Sequence, residues 1–215
     1  MTKIGVFDSG LGGLSVAETL QQALPDDDII FVNDSEHMPY GDKSPADVLK
    51  LVLPKLQELV EQDCELIVIA CNTVTTTLID KLRATINVPL VGIEPMVKPA
   101  AEQTQTGIIA VCATPATLAS KRYAWLKEKY AAGVKVLEPD CRRWAYLIEH
   151  GKADEIKLRE LISGLCDQGA DVIVLGCTHF HWIEEIIRRV AGQRAIIMQP
   201  EQAVVERVKQ ALVSL

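Results

Sequence analysis

The sequence predicts an α/β fold of two similar parallel-sheet domains, related by an internal pseudo-repeat, with the active site in the cleft between them. Three observations carry that expectation. Short β-branched or apolar runs alternate with helix-length amphipathic stretches almost from end to end, which is the pattern of strands joined by helical crossovers. The alternation occurs twice, with matching segments about half a chain apart. In each half, one apolar run stops at a small residue and is followed by a cysteine and a polar pair: Ala70-Cys71-Asn72-Thr73 and Gly176-Cys177-Thr178-His179.

In the first half, strand-like runs fall at 3–7, 29–33, 66–70 and 90–92. Helical periodicity occupies 13–24, 45–62 and 73–84. In the second half the strands fall at 107–111, 134–137, 172–175 and 196–198. Helices follow near 114–131, 153–168 and 180–191, with a closing helix near 201–213. Strands this apolar, separated by helices, imply parallel sheets covered on both faces.

The segment Lys3-Ile4-Gly5-Val6-Phe7-Asp8-Ser9 aligns with Gly107-Ile108-Ile109-Ala110-Val111-Cys112-Ala113 at an offset of 104 residues, and the cysteine segments align at 106. Two similar offsets for separate strands signal two halves built alike. Pro95 and Pro99 interrupt the pattern and set a boundary near Glu94-Pro95. The expected domains are therefore 1–94 with 199–215, and 95–198. The closing helix has no counterpart in the first half and is placed back on it.

Composition narrows the function classes. The chain of 215 residues is 48% hydrophobic and 24% charged, ordinary for a soluble globular protein. No apolar run approaches the roughly 20 residues that span a bilayer. Met1-Thr2-Lys3 leads straight into a strand, so no signal peptide is expected and a cytoplasmic location is. A formal charge of −7, with Lys121-Arg122, Arg142-Arg143 and Arg188-Arg189 short and scattered, argues against nucleic acid as a partner. Six cysteines in such a chain read as free thiols.

In parallel α/β sheets, ligands sit beyond the carboxyl ends of the strands, and every candidate residue falls at such an end. Asp8-Ser9 follow the first strand; Asp34 and then Pro39-Tyr40-Gly41 follow the second; Cys71-Asn72-Thr73 follow the third. Thr114 and Thr117, and then Cys177-Thr178-His179, do the same in the second half. A cysteine at a helix N-terminus has its thiolate favoured by unpaired N–H groups and the helix dipole. One buried cysteine after an apolar strand is ordinarily core; two at repeated positions point to chemistry. Two thiols facing each other across a cleft could move a proton from one face of a carbon to the other.

The loop Asp8-Ser9-Gly10-Leu11-Gly12-Gly13 joins a strand to a helix but fails the dinucleotide fingerprint. Asp8 there would repel a phosphate, and better suits an ammonium group or the orientation of a neighbour. Cys177-x-His179-x-His181 lacks zinc spacing, so no metal is expected. His37 and His150 read as surface or satisfied histidines. Cys64, Cys112, Cys141 and Cys166 lack the paired context and read as structural.

Taken in order, these segments resemble the aspartate/glutamate racemase superfamily, and its glutamate branch in particular. The matching pieces are Asp8-Ser9-Gly10-x-Gly12-Gly13, Pro39-Tyr40-Gly41, Ala70-Cys71-Asn72-Thr73, Ala113-Thr114-x-x-Thr117 with Ser120 and Tyr123, Cys141 with Glu149 and Gly151, and Gly176-Cys177-Thr178-His179. The resemblance implies a cofactor-independent racemase of glutamate, a homodimer, supplying the D-enantiomer for peptidoglycan. It implies Cys71 and Cys177 as the two acid/bases, serving the D- and L-enantiomers respectively. Asp8 would assist the first and His179 the second, with Glu149 a further polar neighbour. Ser9, Pro39, Tyr40, Gly41, Asn72, Thr73, Thr114, Thr117 and Thr178 would form the substrate cradle.

Departures cluster in the second half: the basic and aromatic run Asp140-Cys141-Arg142-Arg143-Trp144-Ala145-Tyr146, then Phe180-His181-Trp182, and Gln199. They keep two alternatives open: another acidic amino acid such as aspartate as substrate, or a non-catalytic binding or regulatory role.

Overall fold

In a computed structural model that describes residues 1–213, the chain divides into two compact units: Met1–Glu94 joined by the segment from Pro200 onward, and Pro95–Gln199. The first unit runs β1 (Lys3–Asp8), α1 (Leu14–Ala23), β2 (Asp28–Asn33), α2 (Pro45–Glu61), β3 (Leu66–Ile69), α3 (Asn72–Arg83) and β4 (Leu90–Gly92). Its four strands are parallel in the order β2-β1-β3-β4.

The second unit runs α4 (Val97–Gln103), β5 (Ile108–Ala113), α5 (Pro115–Leu118), α6 (Lys121–Tyr130), β6 (Lys135–Leu137), α7 (Trp144–Glu149), α8 (Glu155–Asp167), β7 (Val172–Gly176), α9 (Glu184–Ala191) and β8 (Ile196–Met198). Its strands are parallel in the equivalent order β6-β5-β7-β8. The last helix, α10 (Glu201–Leu212), belongs to the first unit, where Val204, Val205 and Val208 pack with Val16, Ala17 and Leu20 of α1. No described helix is long and apolar enough to cross a membrane.

Each sheet is buried on both faces, as its near-continuous apolar strands require. In β3, Ile67 and Ile69 face the core built with α2 and α3, while Leu66 and Val68 face the one built with α1 and α10. In β7, Ile173 and Leu175 face α8 and α9, while Val172 and Val174 face α4 and α6.

These faces correct the repeat by one residue. Phe7 lies on the same face as Ile67, Ile69 and Cys71, and its counterpart beside Ile173, Leu175 and Cys177 is Cys112, not Val111. The registers agree: Phe7 pairs with Ile69, and Cys112 with Leu175. The first-strand offset is therefore 105, because a one-residue slip would turn every side chain to the other face. Ser9 then corresponds to Thr114, and Asp8 to Ala113.

Three helical expectations change. The stretch 114–131 is two helices, because the hydroxyl of Ser120 accepts from the N–H of Tyr123 at 3.1 Å and starts α6 afresh. The stretch from 180 opens not as α-helix but as a 3-10 turn over Thr178–Ile183. Helices α4 and α7 were not anticipated; Pro99 sits in the first turn of α4, where its missing N–H breaks no intrahelical bond.

Candidate active site

The first unit gathers Asp8, Ser9, Tyr40, Cys71, Asn72 and Thr73 at the carboxyl ends of β1, β2 and β3. Cys71 leaves β3 in extended conformation at the N-cap position of α3, whose first residues are Asn72 and Thr73. Its Sγ lies 3.2 Å from Ser9 Oγ. All of these residues are buried. Neither the Oδ1 nor the Nδ2 of Asn72 has a hydrogen-bond partner among the described residues. The unmet donor and acceptor of this buried amide, at the start of a 12-residue helix, are the kind of polar atoms a bound polar ligand would satisfy.

Asp8 is fully buried, and its Oδ2 accepts from the Gly13 N–H at 2.7 Å. Gly13 is required there by proximity: a Cβ at this position would stand 2.5 Å from Asp8 Cβ. Pro39, preceded by a cis peptide bond, leads into the 3-10 turn Tyr40–Asp42, which includes Gly41. The Tyr40 hydroxyl donates to Asp34 Oδ2 at 2.6 Å. Burial first, then the bond and charge of Asp34 and the charges of Cys71 and Asp8, push the Tyr40 hydroxyl far above its ordinary range. It stays a proton donor, committed to Asp34. Asp34 is thus bonded to a candidate site residue, from a strand end where the sequence gave it no role.

The second unit gathers Thr114, Thr117, Glu149, Cys177, Thr178 and His179, all on β5, β7 and their following turns apart from Glu149. Thr114 caps α5, accepting from the Thr117 N–H at 3.3 Å, and the two hydroxyls stand 3.0 Å apart. The tight turn after Cys177 brings the Nδ1 of His179 back to 3.9 Å from Cys177 Sγ. The other ring nitrogen, Nε2, is bonded to Glu149 at the end of α7, and both side chains are buried. Glu149 is therefore the direct partner of His179, which it orients while fixing which nitrogen faces the thiol.

The departures noted in this half meet in space. Trp144 packs edge-on against the fully buried Phe180, with ring centroids 5.3 Å apart, so the two stretches share one contact. Helix α7 is tied to the turn after β7 at both ends, by Trp144 to Phe180 and by Glu149 to His179. Cys112 and Cys141 share more than a core. A hydrogen bond between their thiols, then burial and the charges of Cys112 and Cys177, push the Cys141 thiol up. His37 is half exposed and bonded to Asp34, and His150 bonds the Tyr146 carbonyl.

The chain's similarity to known proteins runs nearly its full length. Residues 5–208 match the family model described as Asp/Glu/Hydantoin racemase. A glutamate racemase of Deinococcus radiodurans is 38% identical over 215 residues, covering 97% of this chain and 74% of that protein. One from Herpetosiphon aurantiacus is 38% identical, covering 97% and 84%. Among solved structures, Escherichia coli glutamate racemase in complex with L-glutamate and the activator UDP-MurNAc-Ala superposes with a TM-score of 0.84 at 29% identity, covering 97% of this chain and 81% of that one. The Francisella tularensis enzyme in complex with D-glutamate gives 0.81 at 30% identity, covering 99% and 81%.

Proposed function

The chain belongs to the Asp/Glu/hydantoin racemase family and is an amino-acid racemase, and on that premise we propose that it interconverts L- and D-glutamate. The observation that carries the reading is a buried cysteine at the end of the equivalent strand of each unit, with Ser9 beside Cys71 and His179 beside Cys177. The reaction is cofactor-independent and uses two bases. For D-glutamate, Cys71 acts as the thiolate that removes the α-proton, and Cys177, as thiol, returns a proton to the opposite face; for L-glutamate the roles exchange.

The α-proton of an amino acid is weakly acidic, so the site must stabilise charge where it develops. Asn72 and Thr73, at the N-terminus of α3, suit a substrate carboxylate. Ser9, Thr114, Thr117, Thr178 and the turn Pro39-Tyr40-Gly41 complete the cradle. Asp8 supports the first thiol and the Glu149–His179 pair the second. The expectations of two domains divided as 1–94 with 199–215 and 95–198, a homodimer, a cytoplasmic location and a supply of D-glutamate to peptidoglycan belong to the same proposal.

Purified protein incubated with L-glutamate and no added cofactor should yield D-glutamate by chiral chromatography. The Cys71→Ala and Cys177→Ala variants should each abolish it. No D-glutamate from the unmodified chain, or full activity in both variants, would sink the proposal.

A further inference from the structure

Asp34 is a buried carboxylate that the proposed chemistry does not use. It is 4% exposed, follows β2, and has both oxygens engaged: Oδ2 by the Tyr40 hydroxyl at 2.6 Å and Oδ1 by His37 Nδ1 at 2.8 Å. Among the described residues His37 is its only ion-pair partner. The backbone holds it as firmly, since the Asp34 N–H donates to the Asp8 carbonyl at 3.2 Å and the His37 N–H to the Asp34 carbonyl at 3.1 Å. A charged acceptor bonded to a buried hydroxyl is a strong contact, and leaving either partner alone is costly. Asp34 therefore ties the strand end that carries Asp8 to the turn that carries Tyr40. Tyr40 is 1% exposed and packs in the same buried core as Phe7 and Cys71.

We propose that Asp34 is a positioning residue, which grips the Tyr40 hydroxyl and thereby holds the Pro39-Tyr40-Gly41 turn where it receives a substrate carboxylate. The hydroxyl is spent on Asp34, so Tyr40 serves the substrate through its backbone and through the placement of Gly41. His37 covers the solvent side of the carboxylate. The inference rests on the reading of this turn as part of the glutamate cradle.

The test is a double-mutant cycle on the full chain with Asp34→Ala, Tyr40→Phe and the combination, beside Asp34→Asn. KM and kcat are measured for both enantiomers, together with amide hydrogen exchange over 35–43. Asp34→Ala should raise KM about tenfold, the factor given by a loss of about 1.4 kcal/mol in binding, and change kcat far less. Tyr40→Phe should match it, and the double variant should be no worse than either single one. Asp34→Asn, whose amide oxygen still accepts from Tyr40, should recover most of the loss. Exchange over 35–43 should quicken in Asp34→Ala and not in Asp34→Asn, with β1 and β3 unchanged.

Effects that multiply in the double variant, a loss confined to kcat, or unaltered exchange over 35–43 would overturn the inference. If the unmodified chain racemises no glutamate, the proposed function fails separately. The grip of Asp34 is then decided by the exchange pattern and by the same cycle run on melting temperature.

Discussion

Replacing Gly13 with alanine perturbs the first half of the site through a single contact. The backbone at Gly13 has φ −68° and ψ −8°, which any residue adopts, so conformation costs nothing. The added Cβ, however, would stand 2.5 Å from Asp8 Cβ and 3.1 Å from both Asp8 Cγ and Phe31 Cε2. Ordinary contact begins near 3.4 Å, so Asp8 or the loop must move by about 1 Å in a region packed at crystal-like density. Overpacking of this kind costs about 1–3 kcal/mol. The same displacement strains the 2.7 Å bond from Gly13 N–H to the Asp8 carboxylate, and a hydrogen bond to a charged group contributes about 1.5–3 kcal/mol.

One movement causes both losses, so they overlap, and the expected total is about 2–4 kcal/mol. For a chain of this size that is a fall of about 5–15 °C in Tm. A misplacement of about 1 Å at a reacting group lowers kcat/KM about 100-fold. The two enantiomers have equal free energies, so this factor must be the same in both directions, and kcat/KM cannot show which face is affected. Isotope effects can. If Asp8 serves Cys71, removal of the α-proton from D-glutamate becomes the slower step, and the effect with α-deuterated D-glutamate should rise. With α-deuterated L-glutamate it should fall, because reprotonation then limits. An unchanged Tm and kcat/KM would refute the packing argument, and the opposite isotope pattern would refute the assignment of Asp8 to Cys71.

Two further substitutions probe the second half. Glu149→Ala removes the acceptor that His179 Nε2 bonds inside the protein and should destabilise the chain by about 1–3 kcal/mol in urea denaturation. Glu149→Gln keeps an acceptor and should lose less, and equal losses would show that the bond does not matter. At Asp171, burial raises the pKa, but hydrogen bonds from the Thr104 hydroxyl and the N–H groups of Gln105 and Thr106 outweigh it, holding the carboxyl below its usual value. Its contribution is complete above the unfolded value of about 3.9 and is lost as pH falls through the lower folded value. Asp171→Asn should therefore lower Tm at pH 7, with the gap to the unmodified chain closing as pH falls below about 4. A gap independent of pH would count against the carboxylate.

The strands and both cysteines were legible because they obey local rules: an apolar run, a small residue, a polar helix start. What escaped depends on distant partners. The break at Ser120 is a capping bond in a stretch whose periodicity runs on without interruption. The short α7 is held by Phe180 and His179, 30 or more residues away, and six residues show no readable period of their own. Asp34 could be placed at a strand end, but its two partners, three and six residues on, meet it only because consecutive 3-10 turns fold the chain back. Trp144 and Phe180 read as two separate departures and are one contact.

On the proposed two-base reading, the corrected register gives the two thiols unlike neighbours. At an offset of 105 for the first strand, Ser9 corresponds to Thr114, so both units keep a hydroxyl at that point. Asp8 corresponds to Ala113, so the second unit has no carboxylate at the end of its first strand. Two residues beyond the cysteine the situation reverses: the second unit has His179 and the first has Thr73. Each half therefore acquired its ionisable group where the other has a neutral one. In the first, a carboxylate is fixed from below by a glycine N–H. In the second, an imidazole is swung beside the thiol by a tight turn and anchored by a glutamate from a neighbouring helix. A carboxylate and a histidine differ in ordinary pKa by about 2.5 units, so under the proposed mechanism the two thiols would be served by helpers of different basicity. A reaction whose two directions begin from mirror-image substrates but unlike bases should show unequal pH profiles for kcat, even though kcat/KM is bound to be equal.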